Sequence, residues 1–147
     1  MLAFTWYHFS ELTTQQIYDA LFLRSNVFVI EQNCAYSDID GKDPLALHLF
    51  GMEKDSLVSY LRLFPPADGD KYIIFGRIVT DKSARTKGYG LNLMEELLRY
   101  CDTHYPGIGI KCSAQRYLTR FYEKFGFKAY GSPYEEDGIP HIEMRRD

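Results

Sequence analysis

IIFGRIVTDKSARTKGYGLNLMEELLRYC, residues 73–101, changes its periodicity in the middle. Its opening, IIFGRIVTD, is rich in β-branched residues and reads as a strand. Its end places Leu91, Met94, Leu97, Leu98 and Cys101 at helical spacing. Between them stands Arg85-Thr86-Lys87-Gly88-Tyr89-Gly90, a short glycine-bearing loop. Pro106-Gly107 ends the helix, and Ile108–Ser113 reads as a second strand. Strand, helix and strand in this order form a βαβ unit, with a parallel pair and a right-handed crossover.

Upstream, Ala3–Phe9 reads as a strand. Thr13 with Gln16 fits a capping box, and Ile17, Ala20, Leu21, Arg24, Val27 and Phe28 recur at helical spacing until the β-branched run at Val29 and Ile30. The polar stretch NCAYSDIDGKDP, residues 33–44, is a loop. Ala46–Glu53 and Leu57–Phe64 are strands around a Lys54-Asp55-Ser56 turn, and Lys71–Asp81 follows as a third. Downstream, Ala114–Phe125 is expected to be helical and Gly126 to stop it, with extended pieces near Phe127–Tyr130 and His141–Met144. The order β-α-β-β-β-α-β-α-β-β predicts an α/β fold with a mixed sheet and helices packed on it.

A chain of 147 residues suits one domain, taken as residues 1–147. With 46% apolar and 25% charged residues it has the composition of a folded protein. The net charge of −3 argues against nucleic acid as a partner, because phosphate-backbone binding calls for a basic excess. No signal peptide is read in MLAFTWYHFS and no run is apolar enough for a membrane span, so a cytoplasmic location is expected. Cys34, Cys101 and Cys112 form no metal-binding or disulfide pattern and read as reduced thiols, the last two within the core. No metal is expected.

A loop that opens a helix can bind an anion, because the first N–H groups of the helix are free and its dipole is positive there. Glycine lets the backbone approach the ligand. The stretch is not a P-loop, since no Gly-Lys-Ser/Thr follows, nor the dinucleotide fingerprint, which needs a third glycine and a later acidic residue. Taken alone, it is equally the turn that any strand-to-helix junction requires.

Residues 114–127, AQRYLTRFYEKFGF, supply the second motif. Arg85-Thr86-Lys87-Gly88-Tyr89-Gly90 followed by Tyr122-Glu123-Lys124-Phe125-Gly126-Phe127 resembles the paired motifs of the GCN5-related N-acetyltransferase (GNAT) superfamily. VFVIEQNCAYSDIDGKDPLALH and EEDGIPHIEM further resemble its ElaA-like branch, so the likeness spans nearly the whole chain. It implies a mixed, mostly antiparallel sheet with a central parallel βαβ unit, and transfer of the acetyl group of acetyl-CoA to a primary amine by direct attack. By position it assigns main-chain groups of Ile78, Val79 and Thr80, and the side chain of Gln115, to the pantetheine. Arg85, Thr86, Lys87, Gly88, Tyr89, Gly90 and Leu91 would wrap the pyrophosphate. Tyr122 takes the place of the general acid that protonates the departing thiolate.

Many relatives place a Glu on the second parallel strand as base, but Ile108–Ser113 has no carboxylate. Glu31, Asp38, Asp40, His48, Glu135 and His141 are the candidates. Burial at the helix end is expected to raise the Glu31 pKa, and Asp38, Asp40 and Asp43 to draw in a cationic amine. Arg62 and Arg77, on strands, read as sheet ion pairs or as a substrate clamp. The alternatives are a non-catalytic acyl-CoA sensor and, from the looser likeness of Arg24, Val27-Phe28 and Asp38-Ile39-Asp40-Gly41, an acyl-homoserine-lactone synthase-like enzyme. The acceptor is a small-molecule or peptide amine of unassigned identity. A homodimer through the late strands stays open.

Overall fold

The computed structural model describes residues 2–147. Its strands are β1 (Leu2–His8), β2 (Leu47–Glu53), β3 (Ser56–Phe64), β4 (Tyr72–Thr80), β5 (Gly109–Gln115), β6 (Lys128–Glu136) and β7 (Ile139–Arg146). They form one sheet in the order β1-β2-β3-β4-β5-β7-β6. Among the described residues only β4 and β5 run parallel; every other neighbouring pair is antiparallel. The parallel pair is the βαβ unit read from residues 73–113, with α2 (Tyr89–His104) as its crossover.

Alternation along the strands decides which helix covers which face. Leu47 and Leu49 of β2, Leu61 and Leu63 of β3, and Ile73 and Phe75 of β4 share a core with Leu93, Met94, Leu97 and Cys101 of α2. The intervening Phe50 and Tyr60 turn to the opposite face, where α1 (Thr14–Arg24) packs Ala20 and Leu23. Thr13 caps α1 by accepting from the Gln16 N–H, in the capping box expected there.

The chain does not leave its helix at Arg24. It widens into a π-helical stretch, Ser25–Glu31, in which the Gln32 N–H reaches back to the Val27 carbonyl at 3.1 Å. The helix expected to fade near Val29 and Ile30 thus continues through them as a looser helix to Glu31.

A second difference lies at residues 114–125. Ala114 and Gln115 are the end of β5, paired with Ile142 and His141 of β7. A 3-10 turn, Arg116–Leu118, follows, and α3 occupies only Thr119–Glu123. The apolar spacing there fits a helix, but the backbone of the first residues is claimed by the sheet. The late strands are also longer than expected and form one hairpin, β6–β7.

β4 contains a bulge. Tyr60 faces Val79 and Arg62 faces Gly76, so Arg77 and Ile78 together stand opposite Leu61. Arg77 holds φ +52°, a left-handed conformation that costs a non-glycine residue about 1 kcal/mol or more. The extra residue inverts the alternation. Val79 joins Ala20 and Leu23 under α1, whereas Ile78 packs towards α2.

Candidate active site

β4 and β5 pair only through Tyr72–Gly109, Ile73–Ile110 and Ile74–Lys111. Beyond that, β4 stays with β3 as far as Thr80, and β5 stays with β7 as far as Gln115. The two central strands therefore splay, and their facing backbone edges open into a cleft of about 630 Å³. Its walls come from Ile78–Thr80, from Val27, Phe28 and Glu31 of the π-helical stretch, from Tyr122 on α3, and from His141 on β7.

α2 begins at Tyr89, directly after Gly88 at φ +77°. Glycine is favoured at 88 by that left-handed backbone. Gly90 is different, since an added methyl there would meet the Phe121 ring at an ordinary 3.7 Å. The protein does not itself exclude a side chain at 90; a ligand lying against the backbone would. Arg85 and Gly90 line the cleft, but Lys87 and Tyr89 turn their side chains away to Glu53, Lys87 at 3.1 Å. Of the proposed pyrophosphate loop, Lys87 and Tyr89 thus have only their backbone to offer.

Tyr122 is buried among Phe75, Phe121 and Phe127 and borders the cleft. Burial pushes its phenol far above the ordinary range, so it stays protonated. Gln115 lies at the β5 end of the cleft and donates to Gln32 Oε1 at 3.2 Å.

The candidate bases separate clearly. Glu31 lines the cleft, but it is exposed and held by Arg85, with Nη2 to Oε2 at 2.7 Å. That hydrogen bond lowers its pKa, so the expected rise through burial does not occur. His48 lies outside the cleft, 2% exposed, with Nδ1 2.6 Å from the Tyr60 hydroxyl and Nε2 2.9 Å from the Asp43 carbonyl. Both ring nitrogens are engaged, and His48 cannot serve an acceptor in the cleft. His141 does line it. Its Nδ1 is 2.7 Å from the Ile139 carbonyl, which only accepts, so Nδ1 is the donor in that contact. Nε2 is 3.4 Å from Glu136, which borders the cleft where the candidate Glu135 does not.

The acidic loop is not a lure for cations. Asp38, Asp40 and Asp43 are matched by Arg24, Arg62 and Arg77. Arg24, 1% exposed, donates to Asp43 at 2.9 Å and to the Asp38 carbonyl at 3.0 Å. Arg62 reaches Asp40 at 2.6 Å and Asp43 at 2.9 Å, and Arg77 reaches Asp38 at 2.8 Å. Arg62 holds the Asp40 carboxyl well below its ordinary range. Three guanidinium groups therefore neutralise the three carboxylates and pin the loop that carries Tyr36 into the cleft wall.

His48 sits against this cluster, and burial lowers its pKa from the ordinary 6.5. Below about pH 6.5 the unfolded chain takes up a proton that the native His48 refuses. Stability is therefore full above that pH and falls towards the native pKa, by up to about 1.4 kcal/mol per pH unit. Urea unfolding between pH 5 and 7 should show this slope, and His48→Gln should flatten it. An equal slope in the variant would clear His48.

Cys101 and Cys112 are buried, and burial raises both thiols to about 12, which makes them inert core residues. Cys34 lines the cleft and contacts the Asp137 carbonyl at 3.4 Å. Among the described residues no cluster of His, Cys, Asp or Glu is arranged to hold a metal ion. No helix among them is long and apolar enough to cross a membrane.

A mixed sheet opened between two parallel strands, with a glycine-bearing helix start beside the opening, is the architecture of the acyl-CoA N-acyltransferases. Residues 10–147 match the Acetyltransferase (GNAT) domain, and the chain belongs to that family. It is 42% identical to the protein ElaA of Escherichia coli strain K12 over 142 residues, covering 95% of this chain and 93% of that protein. The crystal structure of Escherichia coli ElaA superposes with a TM-score of 0.93 at 40% identity, over 100% of both chains. An acyl-CoA N-acyltransferase from Pseudomonas aeruginosa does so with a TM-score of 0.94 at 38% identity, again over 100% of both. The AHL synthase LasI, at 14% identity and a TM-score of 0.79 over 99% of this chain and 89% of that one, shares the fold alone.

Sequence reasoning missed Phe28, Tyr36, Phe121 and Glu136 in the cleft wall. Phe121 lay within the quoted motif one position before Tyr122. The others carry no local signal.

Proposed function

We propose that this protein is an N-acetyltransferase that moves the acetyl group of acetyl-CoA to a primary amine by direct attack on the thioester. The observation that carries the reading is the unpaired edge of the splayed strands. Beyond Ile74 and Lys111, β4 and β5 present N–H and C=O groups to the cleft instead of to each other. An extended amide-bearing chain can complete such an edge as an added strand would.

The residues present fit acyl-CoA. Ile78, Val79 and Thr80 offer main-chain groups to its pantetheine, and Gln115 adds an amide. Backbone N–H groups from Gly88 to Leu91, the Gly90 surface and the Arg85 guanidinium suit its pyrophosphate. The thioester supplies the activated acyl group.

The chain's own groups then manage protons. A primary amine with a pKa near 10.4 is neutral in only about one molecule in a few thousand at pH 7. His141, which lines the cleft, is our candidate to take the amine proton through Nε2. The imidazolium so formed lies beside the Glu136 carboxylate. Tyr122 directs its O–H at the leaving sulfur and passes it a proton, which the phenol recovers from solvent once CoA departs.

The test is the melting temperature with acetyl-CoA or CoA, against NAD and ATP, followed by thiol release with a panel of amines. Ligand at 100 times its Kd adds about 2.7 kcal/mol, a rise of several degrees for a domain of this size. A shift with both CoA species alone, together with thiol release, supports the reading. A shift without release by any amine favours an acyl-CoA sensor, to which the missing carboxylate on β5 also points. No shift at millimolar ligand refutes both.

A further inference from the structure

The contact between Glu31 and Arg85 lies where the proposed donor site needs a free cation. Glu31 closes the π-helical stretch, and Arg85 belongs to the turn that leads into α2. The two residues are 54 positions apart and both line the cleft. Their carboxylate and guanidinium meet end to end, through Nη1–Oε1 and Nη2–Oε2. Arg85 Nε donates to the Thr80 carbonyl at 3.2 Å, at the last residue of the open β4 edge. Asp81 and Tyr117 lie near Arg85, and Lys82 and Asp81 near Glu31, but none of these replaces the pair.

We infer that Glu31 and the phosphate-bearing end of acyl-CoA compete for the Arg85 guanidinium. This rests on reading the cleft as an acyl-CoA site. The pair is partly exposed, with side-chain exposures of 39% for Arg85 and 31% for Glu31, so it is a weak latch. A pyrophosphate brings more negative charge than one carboxylate, and it lies beside the free N–H groups of α2. It therefore draws Arg85 away from Glu31. Glu31 thus holds Arg85 against the opposite wall of the cleft, and donor binding would release that wall. The Glu31 carboxylate is then left without its counter-charge.

Calorimetric titration of CoA and of pantetheine, which lacks the phosphates, tests this on wild type, Glu31→Gln, Arg85→Gln and the double variant. Removing the competing carboxylate should tighten CoA binding about two- to fivefold, the range of a partly exposed ion pair. Pantetheine binding should not change. Arg85→Gln should weaken CoA binding, and adding Glu31→Gln to it should have no further effect. Weaker CoA binding by Glu31→Gln overturns the inference, because Glu31 would then be orienting Arg85 for the phosphate. An equal gain with pantetheine, or a gain in the Arg85→Gln background, overturns it as well. Wild-type protein that binds no CoA at millimolar concentration refutes the acyl-CoA reading itself, and this inference with it.

Discussion

Tyr122→Phe should lower kcat by about 10²–10⁴-fold while leaving the Kd for CoA unchanged, the range of a lost general acid. The substitution removes one hydroxyl and keeps the ring among Phe75, Phe121 and Phe127, so the core stays filled. Burial keeps the phenol protonated, so its O–H can point as a donor at the departing sulfur, although burial alone makes it a weaker acid. The thiolate of CoA, a base with a conjugate acid near pKa 8.5, is the group that needs it at the end of the reaction. Steady-state kinetics with acetyl-CoA and a thiol reagent would measure the effect, with calorimetry for CoA as the companion readout. A kcat within a factor of two of wild type removes Tyr122 from the chemistry. A matching loss of CoA affinity would make it a binding residue instead.

Arg24→Met should cost about 3–5 kcal/mol of stability, seen as a fall in Tm of roughly 10 °C or more. Arg24 is 1% exposed and touches Asp38 and Asp43 with the same guanidinium. Methionine fills much of the space but leaves three buried or half-buried carboxylates facing two cations. Arg99→Met is the control, because the arginine is 60% exposed and its partner Glu96 keeps the hydrogen bond from Trp6 Nε1, so Tm should move little. Thermal unfolding by circular dichroism reads both. A Tm for Arg24→Met within two degrees of wild type would show that the cluster does not hold the loop.

The centre of the fold was legible because residues 73–113 change period from strand to helix and back, a pattern few other packings allow. The two flanking motifs were legible because each is short and local. What escaped depends on distant partners. Ala114 and Gln115 fit a helical pattern, yet β7 pairs with them, and only the register of a strand formed later in the chain decides that. Arg24 falls on the apolar stripe of α1, where helical spacing says that it is buried but not that Asp38 and Asp43 await it. The acidic loop therefore read as bare charge. His48 and His141 looked alike as histidines on strands; one faces the charge cluster and the other the cleft. Glu135 and Glu136 lie beyond the extended piece expected near Phe127–Tyr130, so nothing local gave either a face; the β6–β7 hairpin, with its irregular register between Tyr130 and Tyr134, does.

The bulge at Arg77 and Ile78 makes the faces of the strand beside the opening a matter of parity. Before it, odd-numbered residues of β4 face α2; after it, even-numbered ones do. One half of the strand thus keeps time with the sheet and the other half runs a beat late. Such an offset belongs to the number of residues between Gly76 and Val79, not to the chemistry of any of them. Exchanging side chains there can alter what faces the cleft, but only a change in chain length can bring the two halves back into step.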